Sequence, residues 1–437
     1  MAPSPASRSQ PGSASLLAAL LGGLAIELAL LWLWQRNGYW DFSDGVYAQT
    51  SRELLHGADL YRGVAAAQPP PIYLVGAGLL AIHDGLASLR VGMALAELAS
   101  ALLVGYALLR LGARRPIALL AALATPLLPI ELHEHAQLVP ETVAAPLLLL
   151  GALLVSRPRG SAQGGAAVAL AAAFKVAFVF PALAIVLVAA DRRRAAGAFV
   201  ASGVALGLAS LLGYGTALWS EAVRAQFEVG SASLHYVGGL LAQAVWSELP
   251  LAILAAPVAW AALRRRALSS DPSLERSLLA AALAGLALGL TLFKRGSYLN
   301  VFIVAEPPLL VLAALGAESI WRRGAPLRVL AALLALLLAA QSASILIDPA
   351  NPPVARRPGA RSGLAEASSP AAVNAAVAAA RRCPLGEAYS GAPYIAFLAD
   401  RPMPGAQPDT FMLSYASADR AFARKAAADE PRCPPVR

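Results

Sequence analysis

The sequence predicts an all-α, polytopic membrane protein, and three observations support this fold class. The chain of 437 residues is 58% hydrophobic and 14% charged, with a mean hydropathy of +0.61, whereas soluble domains carry about 25% charged residues. Apolar runs recur along the chain at the length that a membrane-crossing helix needs, roughly 20 residues. Basic residues cluster in the short loops between these runs, as the positive cytoplasmic loops of membrane proteins do: Arg110, Arg114, Arg115, Arg157, Arg159, Arg192, Arg193, Arg194, Arg264, Arg265, Arg266, Arg322 and Arg323.

These loops account for the net charge of +9, and nothing else in the sequence supports nucleic-acid binding. With the basic loops in the cytoplasm, residues 1–15 form a disordered cytoplasmic N-terminus. A secretory signal would have a shorter apolar core and a small-residue cleavage site, so the run 16–34 is predicted to be an uncleaved first span. We expect a multi-pass protein of the cytoplasmic (inner) membrane with its C-terminus outside.

Residues 16–347 are predicted to form the transmembrane domain. The first span leads into a long first outer loop, residues 36–87. In this loop the run 72–82 follows three prolines and is too short to cross, so an outer juxtamembrane helix is expected there. The crossings, about eleven in total with the two half-spans of the hairpin below, are predicted at 16–35, 88–109, 116–132, 138–155, 195–215, 239–263, 276–293, 298–318 and 326–347.

A hairpin of two half-spans is predicted between Arg159 and Arg192. The apolar stretch there is interrupted by Lys175 and Pro181. One long tilted helix would place the two basic loops on opposite sides of the membrane, whereas two short helices that meet near Lys175 keep both loops inside. We therefore expect the chain to reverse direction at Lys175.

Residues 348–437 differ in composition and are predicted to form a small extracytoplasmic α/β domain. Residues 370–382 have a helical pattern, while EAYSG, PYIAFLADR and TFMLSY suggest short strands. Cys383 and Cys433 are the two cysteines of the chain. Either they form a disulfide on this oxidising side, or they are two free thiols.

Polar residues of less expected type collect at the predicted outer face, and ionisable groups at membrane depth usually face a cavity or a partner. Asp44, at the start of a helix in the first outer loop, has two interpretations. It caps that helix, or it is a carboxylate general base that faces an acceptor hydroxyl. Asp41 is the candidate second carboxylate.

Three cations at this face are candidates for binding a phosphate. Lys294 and Arg295 end an apolar span on the side opposite the basic loops, so they either snorkel to the interface or stabilise a leaving group. Lys175, inside an apolar stretch, pairs with Glu306, with a loop carboxylate or with a ligand phosphate.

His133, Glu134 and His135 suggest a metal site, with Glu141 or Asp44 as the further ligand. A His-x-His pair on a helix points its rings to different faces, so we assign no metal, and a divalent cation remains the less favoured alternative. The sequence has no phosphate-binding glycine loop, HExxH motif or nucleophile elbow.

The residues of the first outer loop resemble those of GT-C glycosyltransferases, in the family 39-like group of protein O-mannosyltransferases and aminoarabinose transferases. The resemblance covers about residues 16–347 and starts from Asp44 with Tyr47, Ala48, Ser51, Arg52, Glu53, Leu54, Gly57 and Tyr61. It continues through PPPIY in the same loop, PETVAAPLLLLG, AAAFKVAFVFPALA and KRGSYLNVFIVAEPPLLVLAALG. Many members have adjacent acidic residues at the first position, whereas Ser43 and Gly45 flank Asp44 here.

The resemblance implies a GT-C-type bundle and an inverting transfer of a sugar from a polyprenyl-phosphate donor to a cell-envelope glycan, glycolipid or protein acceptor. Asp44 takes the place of the catalytic base, with Asp41 as a possible partner. The donor phosphate and substrate are expected to contact Lys294, Arg295, Lys175, Tyr298, Asn300, Glu141, His133 and His135. The alternative function is a non-catalytic transporter or lipid-linked-glycan flippase, although transporters tend to show internal repeats and midplane polar residues.

Overall fold

The protein is a bundle of helices in the computed structural model, which describes residues 13–37, 42–228, 230–322, 325–347, 370–384, 387–389, 391–406 and 408. The described part contains no β-sheet, and its β-bridges are isolated. Five helical segments are long and apolar enough to cross a membrane, by length and composition: Leu86–Leu111, Arg192–Tyr214, Leu234–Leu263, Pro272–Phe293 and Ala325–Ile347. The polytopic, all-helical fold class is therefore confirmed.

The first half of the bundle begins with the apolar helix α1 and with α2, which lies in the predicted first outer loop. The 12-residue helix α3 begins at Pro71, where proline is well tolerated because the first helical N–H has no intrahelical acceptor. It matches the short juxtamembrane helix that the sequence predicts. The helices are α1 (Ser13–Asn37), α2 (Phe42–Leu55), α3 (Pro71–Ile82), α4 (Leu86–Leu111), α5 (Arg115–Ala124), α6 (Pro129–His133) and α7 (Pro140–Val155).

The predicted hairpin is present, and its break lies at Lys175. Helix α8 (Ser161–Phe174) ends there because Lys175 is extended, with φ −155° and ψ 130°, and α9 (Val179–Leu187) follows a short 3₁₀ turn. The two ends of the hairpin meet, since Asp191 N donates to Ser161 Oγ over 3.2 Å and Ala190 N donates to Val155 O over 2.9 Å. The basic loops on either side of the hairpin therefore share one end of the bundle.

The second half contains the long apolar helices that follow the hairpin. Helix α10 begins at Arg192, where the Asp191 side chain accepts from Arg194 N and caps the first turn. Helix α14 begins in the same way, with Asp271 accepting from Leu274 N. The helices are α10 (Arg192–Tyr214), α11 (Thr216–Leu218), α12 (Ala225–Glu228), α13 (Leu234–Leu263), α14 (Pro272–Ala287), α15 (Glu306–Trp321) and α16 (Ala325–Ile347).

The predicted basic loops come together at one end of the bundle, which we call the basic end. Arg110 pairs with Asp271 over 2.5 Å and donates to Ser156 Oγ over 3.1 Å. Arg114 pairs with Glu318 over 3.0 Å, and Glu318 also pairs with Arg322 over 2.6 Å. Loops far apart in sequence thus lie on the same side, as the charge pattern predicts.

Two predictions about local structure are wrong. The span predicted at 298–318 is helical only from Glu306, because a 3₁₀ turn at Leu299–Phe302 precedes it and Pro307 and Pro308 fit the first turn of a helix but not its interior. The stretch PYIAFLADR is not a strand. Its first seven residues form helix α18 (Pro393–Ala399), which begins at a proline and is almost entirely buried.

The remaining tail predictions have mixed outcomes. Helix α17 (Pro370–Arg381) confirms the helix predicted at 370–382. The segment EAYSG shows only an isolated bridge at Tyr389 within its described residues, and TFMLSY lies outside the described residues. Cys383 is disulfide-bonded, and the one other cysteine in the sequence, Cys433, lies outside the described residues.

The hairpin predicts which loops a membrane-impermeant thiol reagent reaches together. We expect single cysteines in place of Arg159 and Arg193, both exposed, to be labelled from the same side of sealed vesicles. A cysteine in place of the exposed His56, in the first outer loop, should be labelled only from the other side. Labelling of positions 159 and 193 from opposite sides would contradict the hairpin.

Candidate functional site

The polar residues expected at the outer face meet at the end of the bundle opposite the basic end, which we call the polar end. Gln226, after α11, donates to the Ala67 carbonyl of the first outer loop and accepts from Lys294. The Tyr236 hydroxyl donates to Ser297 O over 3.4 Å. The first outer loop, residues 226–236 and residues 294–297 therefore contact one another.

Asp44 lies at the centre of the polar end and is fully buried. Its carboxylate forms a two-point ion pair with Arg90 of α4: Nη2 donates to Oδ2 over 2.6 Å, and Nη1 donates to Oδ1 over 3.1 Å. Leu138 N donates to Oδ1 over 2.8 Å, and Arg90 Nη1 also donates to Ala136 O over 2.9 Å. The Asp44 carboxylate thus joins α2 to α4 and to residues 133–139, which we call the second outer loop, and these contacts lie outside its own helix.

A carboxylate has about four lone-pair positions, and Arg90 and Leu138 occupy three of those on Asp44. The fourth, on Oδ2, can accept one more hydrogen bond. The hydrogen bonds from Arg90 and Leu138 therefore leave one acceptor position of the Asp44 carboxylate unused.

The C-terminal helix α18 covers this ion pair. Tyr394 hydrogen-bonds to Arg90, and burial raises the pKa of the Tyr394 phenol while Arg90 lowers it. Arg52 of α2 donates to the Phe397 carbonyl, and its guanidinium lies 3.9 Å from the centroid of the Phe397 ring. Arg52 also pairs with Asp84 over 3.0 Å. These contacts hold α18 against α2 and keep Asp44 away from solvent.

Lys175 pairs with Glu141, the loop carboxylate at the start of α7, over 2.5 Å. Glu141 is fully buried, while the Lys175 side chain is 21% exposed. Of the three partners considered for Lys175, the structure contains the second-loop carboxylate. An ammonium group already neutralised by Glu141 carries less net charge toward a ligand phosphate.

Lys294 and Arg295 occupy different surroundings. The Lys294 ammonium donates to Gln226, whereas Arg295 is exposed and its backbone N donates to Gly230 O over 3.0 Å. Asn300 is buried nearby in the 3₁₀ turn Leu299–Phe302. Arg295 is therefore the more accessible of the two adjacent cations.

The second outer loop separates its two histidines. His133 Nδ1 lies 2.9 Å from Glu134 Oε1, and its ring lies 6.1 Å from that of Tyr298, centroid to centroid. His135 turns the other way, and its Nδ1 lies 2.7 Å from Glu97 Oε2. The grouping of both histidines with Glu141 or Asp44 in one metal site is therefore wrong, because Asp44 and Glu141 are held by Arg90 and Lys175. Asp41 lies outside the described residues.

Sequence reasoning missed Arg90, Glu27 and Glu97. Each is an ionisable residue within or at the edge of an otherwise apolar helix, α1 or α4, and such residues seldom occur there without a partner. That signal was present in the sequence. Their partners were not predictable, because they are distant in the sequence. Arg90 and its partner Asp44 are 46 residues apart, and Glu27 and Glu97 are each 38 or more residues from His135.

Solved structures of two membrane proteins have folds similar to that of this chain. The chain is similar to ArnT from Cupriavidus metallidurans bound to undecaprenyl phosphate, with a TM-score of 0.61 and 15% sequence identity over 94% of this chain and 88% of that chain. It is also similar to the apo form of the Archaeoglobus fulgidus oligosaccharyltransferase, with a TM-score of 0.59 and 15% identity over 96% of this chain and 68% of that chain. No protein-family profile and no curated protein sequence matches the chain.

Loss of Arg90 should strongly destabilise the protein, because it leaves the buried Asp44 charge unpaired. We expect Arg90→Ala to lower the free energy of unfolding by about 3–5 kcal/mol, measured by denaturant titration in mixed micelles. Adding Asp44→Asn to Arg90→Ala should restore part of the loss, since the unpaired charge is removed. A loss no larger than that of Arg62→Ala, which removes an exposed arginine, would contradict this role of the pair.

The close approach of α18 to α2 depends on Gly45. A Cβ there would lie 2.4 Å from Tyr394 N and 2.8 Å from Tyr394 Cα, so Gly45→Ala should displace α18. We expect faster hydrogen exchange at residues 393–399 in this variant. Gly78→Ala, at a helical glycine with nothing within 4 Å, is the matched control and should leave that exchange unchanged.

Proposed function

We propose that this chain is an inverting glycosyltransferase that takes a sugar from a polyprenyl-phosphate donor. The acceptor is a cell-envelope glycan, a glycolipid or a protein on the outer side of the cytoplasmic membrane. The observation that supports the proposal most directly is the fold, since the similar ArnT structure is bound to undecaprenyl phosphate. A second similar structure, AglB from Archaeoglobus fulgidus, is in complex with an inhibitory peptide and a dolichol-phosphate.

The chemistry that we propose needs a base and a stabilised leaving group. An acceptor hydroxyl attacks the anomeric carbon, its proton passes to a carboxylate, and the bond to the phosphate oxygen breaks on the opposite face. The released polyprenyl phosphate carries away the bonding electrons as added negative charge. Cations near the headgroup level lower the energy of that charge.

Asp44 is the proposed base, and its remaining Oδ2 position is where the acceptor hydroxyl would donate. Arg90 is a positioning residue in this scheme, because it holds the carboxylate but has no assigned contact with a reacting atom. Asp41 remains a candidate second carboxylate. The buried Asp44 reaches an acceptor only when α18 moves aside, so the proposal includes that movement.

Arg295 is the cation that we propose to meet the donor phosphate first, because it is exposed at the polar end. Lys294 and Lys175 would follow by exchanging Gln226 and Glu141 for phosphate oxygens. Tyr298, Asn300, Glu141, His133 and His135 are proposed to line the same end. The arrangement into about eleven crossings, an N-terminus in the cytoplasm and a separate extracytoplasmic domain from residue 348 is also part of the proposal.

The decisive experiment supplies the purified protein, in lipid nanodiscs, with radiolabelled polyprenyl-phosphate sugars and a set of envelope acceptors. We expect transfer by the wild type and a loss of about 10²–10⁴-fold in turnover for Asp44→Asn. Asp59→Asn, the same change at an exposed position of the first outer loop, is the matched control and should retain activity.

Each other outcome points to a different conclusion. Near-normal turnover of a folded Asp44→Asn variant would remove Asp44 as the base. Movement of a lipid-linked sugar across proteoliposomes, without transfer to any acceptor, would replace the enzyme by the flippase alternative.

A further inference from the structure

Three ligand-type side chains meet inside the bundle, away from Asp44 and the exposed cations. Glu27 of α1, Glu97 of α4 and His135 of the second outer loop are each about 1% exposed. One ligand atom from each, a carboxylate oxygen or an imidazole nitrogen, lies within 4.8 Å of the other two. We infer that Glu27, Glu97 and His135 bind one divalent transition-metal ion, of which Zn²⁺ is the expected type.

Charge balance supports a cation here. Two carboxylates in an apolar interior are costly unless they are neutralised. A doubly charged ion with two carboxylates and a neutral imidazole gives a site of zero net charge. The nearest arginine of α4, Arg90, is already committed to Asp44 and Ala136.

An ordinary ion pair between His135 and Glu97 does not account for Glu27. Neither carboxylate oxygen of Glu27 accepts a hydrogen bond from the described residues, and its nearest approach to His135 Nδ1 is 3.7 Å. Glu97 Oε2, although 2.7 Å from His135 Nδ1, is not in hydrogen-bond geometry with any described donor. Glu27 therefore adds a second buried carboxylate, which the contact between His135 and Glu97 does not neutralise.

The ligand set selects the metal class. Zn²⁺ takes imidazole nitrogen and carboxylate oxygen at about 2.0–2.2 Å, and such bonds place tetrahedral ligands roughly 3.3 Å apart. Small side-chain movements within the present cluster satisfy that spacing. Ca²⁺ takes 6–8 oxygen ligands, and Mg²⁺ keeps several waters in an octahedron. Two carboxylates and one imidazole would instead supply three of the four positions around Zn²⁺, and a water would take the fourth.

A metal at this point would fix the second outer loop to two spanning helices. Glu97 holds that loop a second time, because Ala136 N donates to Glu97 Oε1 over 2.6 Å. The next residues of the loop carry the Leu138 N–H that donates to Asp44. The ion would therefore be structural, and the inference does not rest on the proposed transferase activity.

The test measures metal content without any substrate. Untagged protein is stripped with EDTA, dialysed against buffered Zn²⁺ and analysed by elemental mass spectrometry. We expect about one zinc ion per wild-type chain, as for a single site, and less than about a fifth of that for Glu27→Gln. Glu248→Gln removes a buried carboxylate from another spanning helix, α13, and should retain about one zinc.

Equal zinc content in the wild type and in Glu27→Gln would overturn the inference, and so would a wild type that binds no zinc. The latter result would mean that protons or an ion pair neutralise the cluster. If Glu27→Gln does not fold, X-ray absorption at the zinc edge of the wild type decides. A shell of nitrogen and oxygen at about 2.0–2.1 Å with a single imidazole supports the site, whereas two or more imidazoles contradict it.

Discussion

The ion pair between Asp44 and Arg90 is the contact on which the polar end depends. It joins α2 to the long apolar helix α4, and the same two side chains hold Leu138 and Ala136 of the second outer loop. A buried carboxylate needs such a partner because the interior cannot solvate its charge. Helix α18 packs on α2 beside this neutralised pair, through Tyr394 and through the contacts of Arg52 with Phe397.

The two ends of the bundle use charge in opposite ways. At the basic end, arginines such as Arg114 and Arg322 keep exposed side chains and share one buried carboxylate, Glu318, which fits an orientation set by positive loops. At the polar end, the carboxylates of Asp44 and Glu141 are buried and paired with cations far away in the sequence. The hairpin that turns at Lys175 connects the two ends of the bundle. Its two open ends meet at residues 155–161 and 190–191, at the basic end, and its turn brings Lys175 to Glu141 at the polar end.

The sequence predicted those parts of the fold that local composition controls. Apolar run length and loop charge were sufficient for the class, for the short helix at 71–82 and for the reversal at Lys175. The local sequence pattern failed where tertiary contacts override it. PYIAFLA has strand-like residues, yet it forms a helix because the helical form is the one that packs against α2. For the candidate site, Asp44 was predictable as a residue of interest. Its partner was not, because nothing in the sequence links a helix-start aspartate to one arginine among many.

Asp44 can be both buried and a catalytic base only if α18 opens to admit the acceptor and then closes over the site. An exposed carboxylate would be solvated and would activate water as readily as an acceptor hydroxyl, which wastes the donor sugar by hydrolysis. A carboxylate covered by α18 does not activate water in this way. The ion pair with Arg90 keeps the carboxylate oriented until an acceptor binds. The element that must then move is α18, because its Tyr394 lies against the Asp44–Arg90 pair. The tail would thus decide when the base meets an acceptor, although it supplies none of the proposed reacting groups.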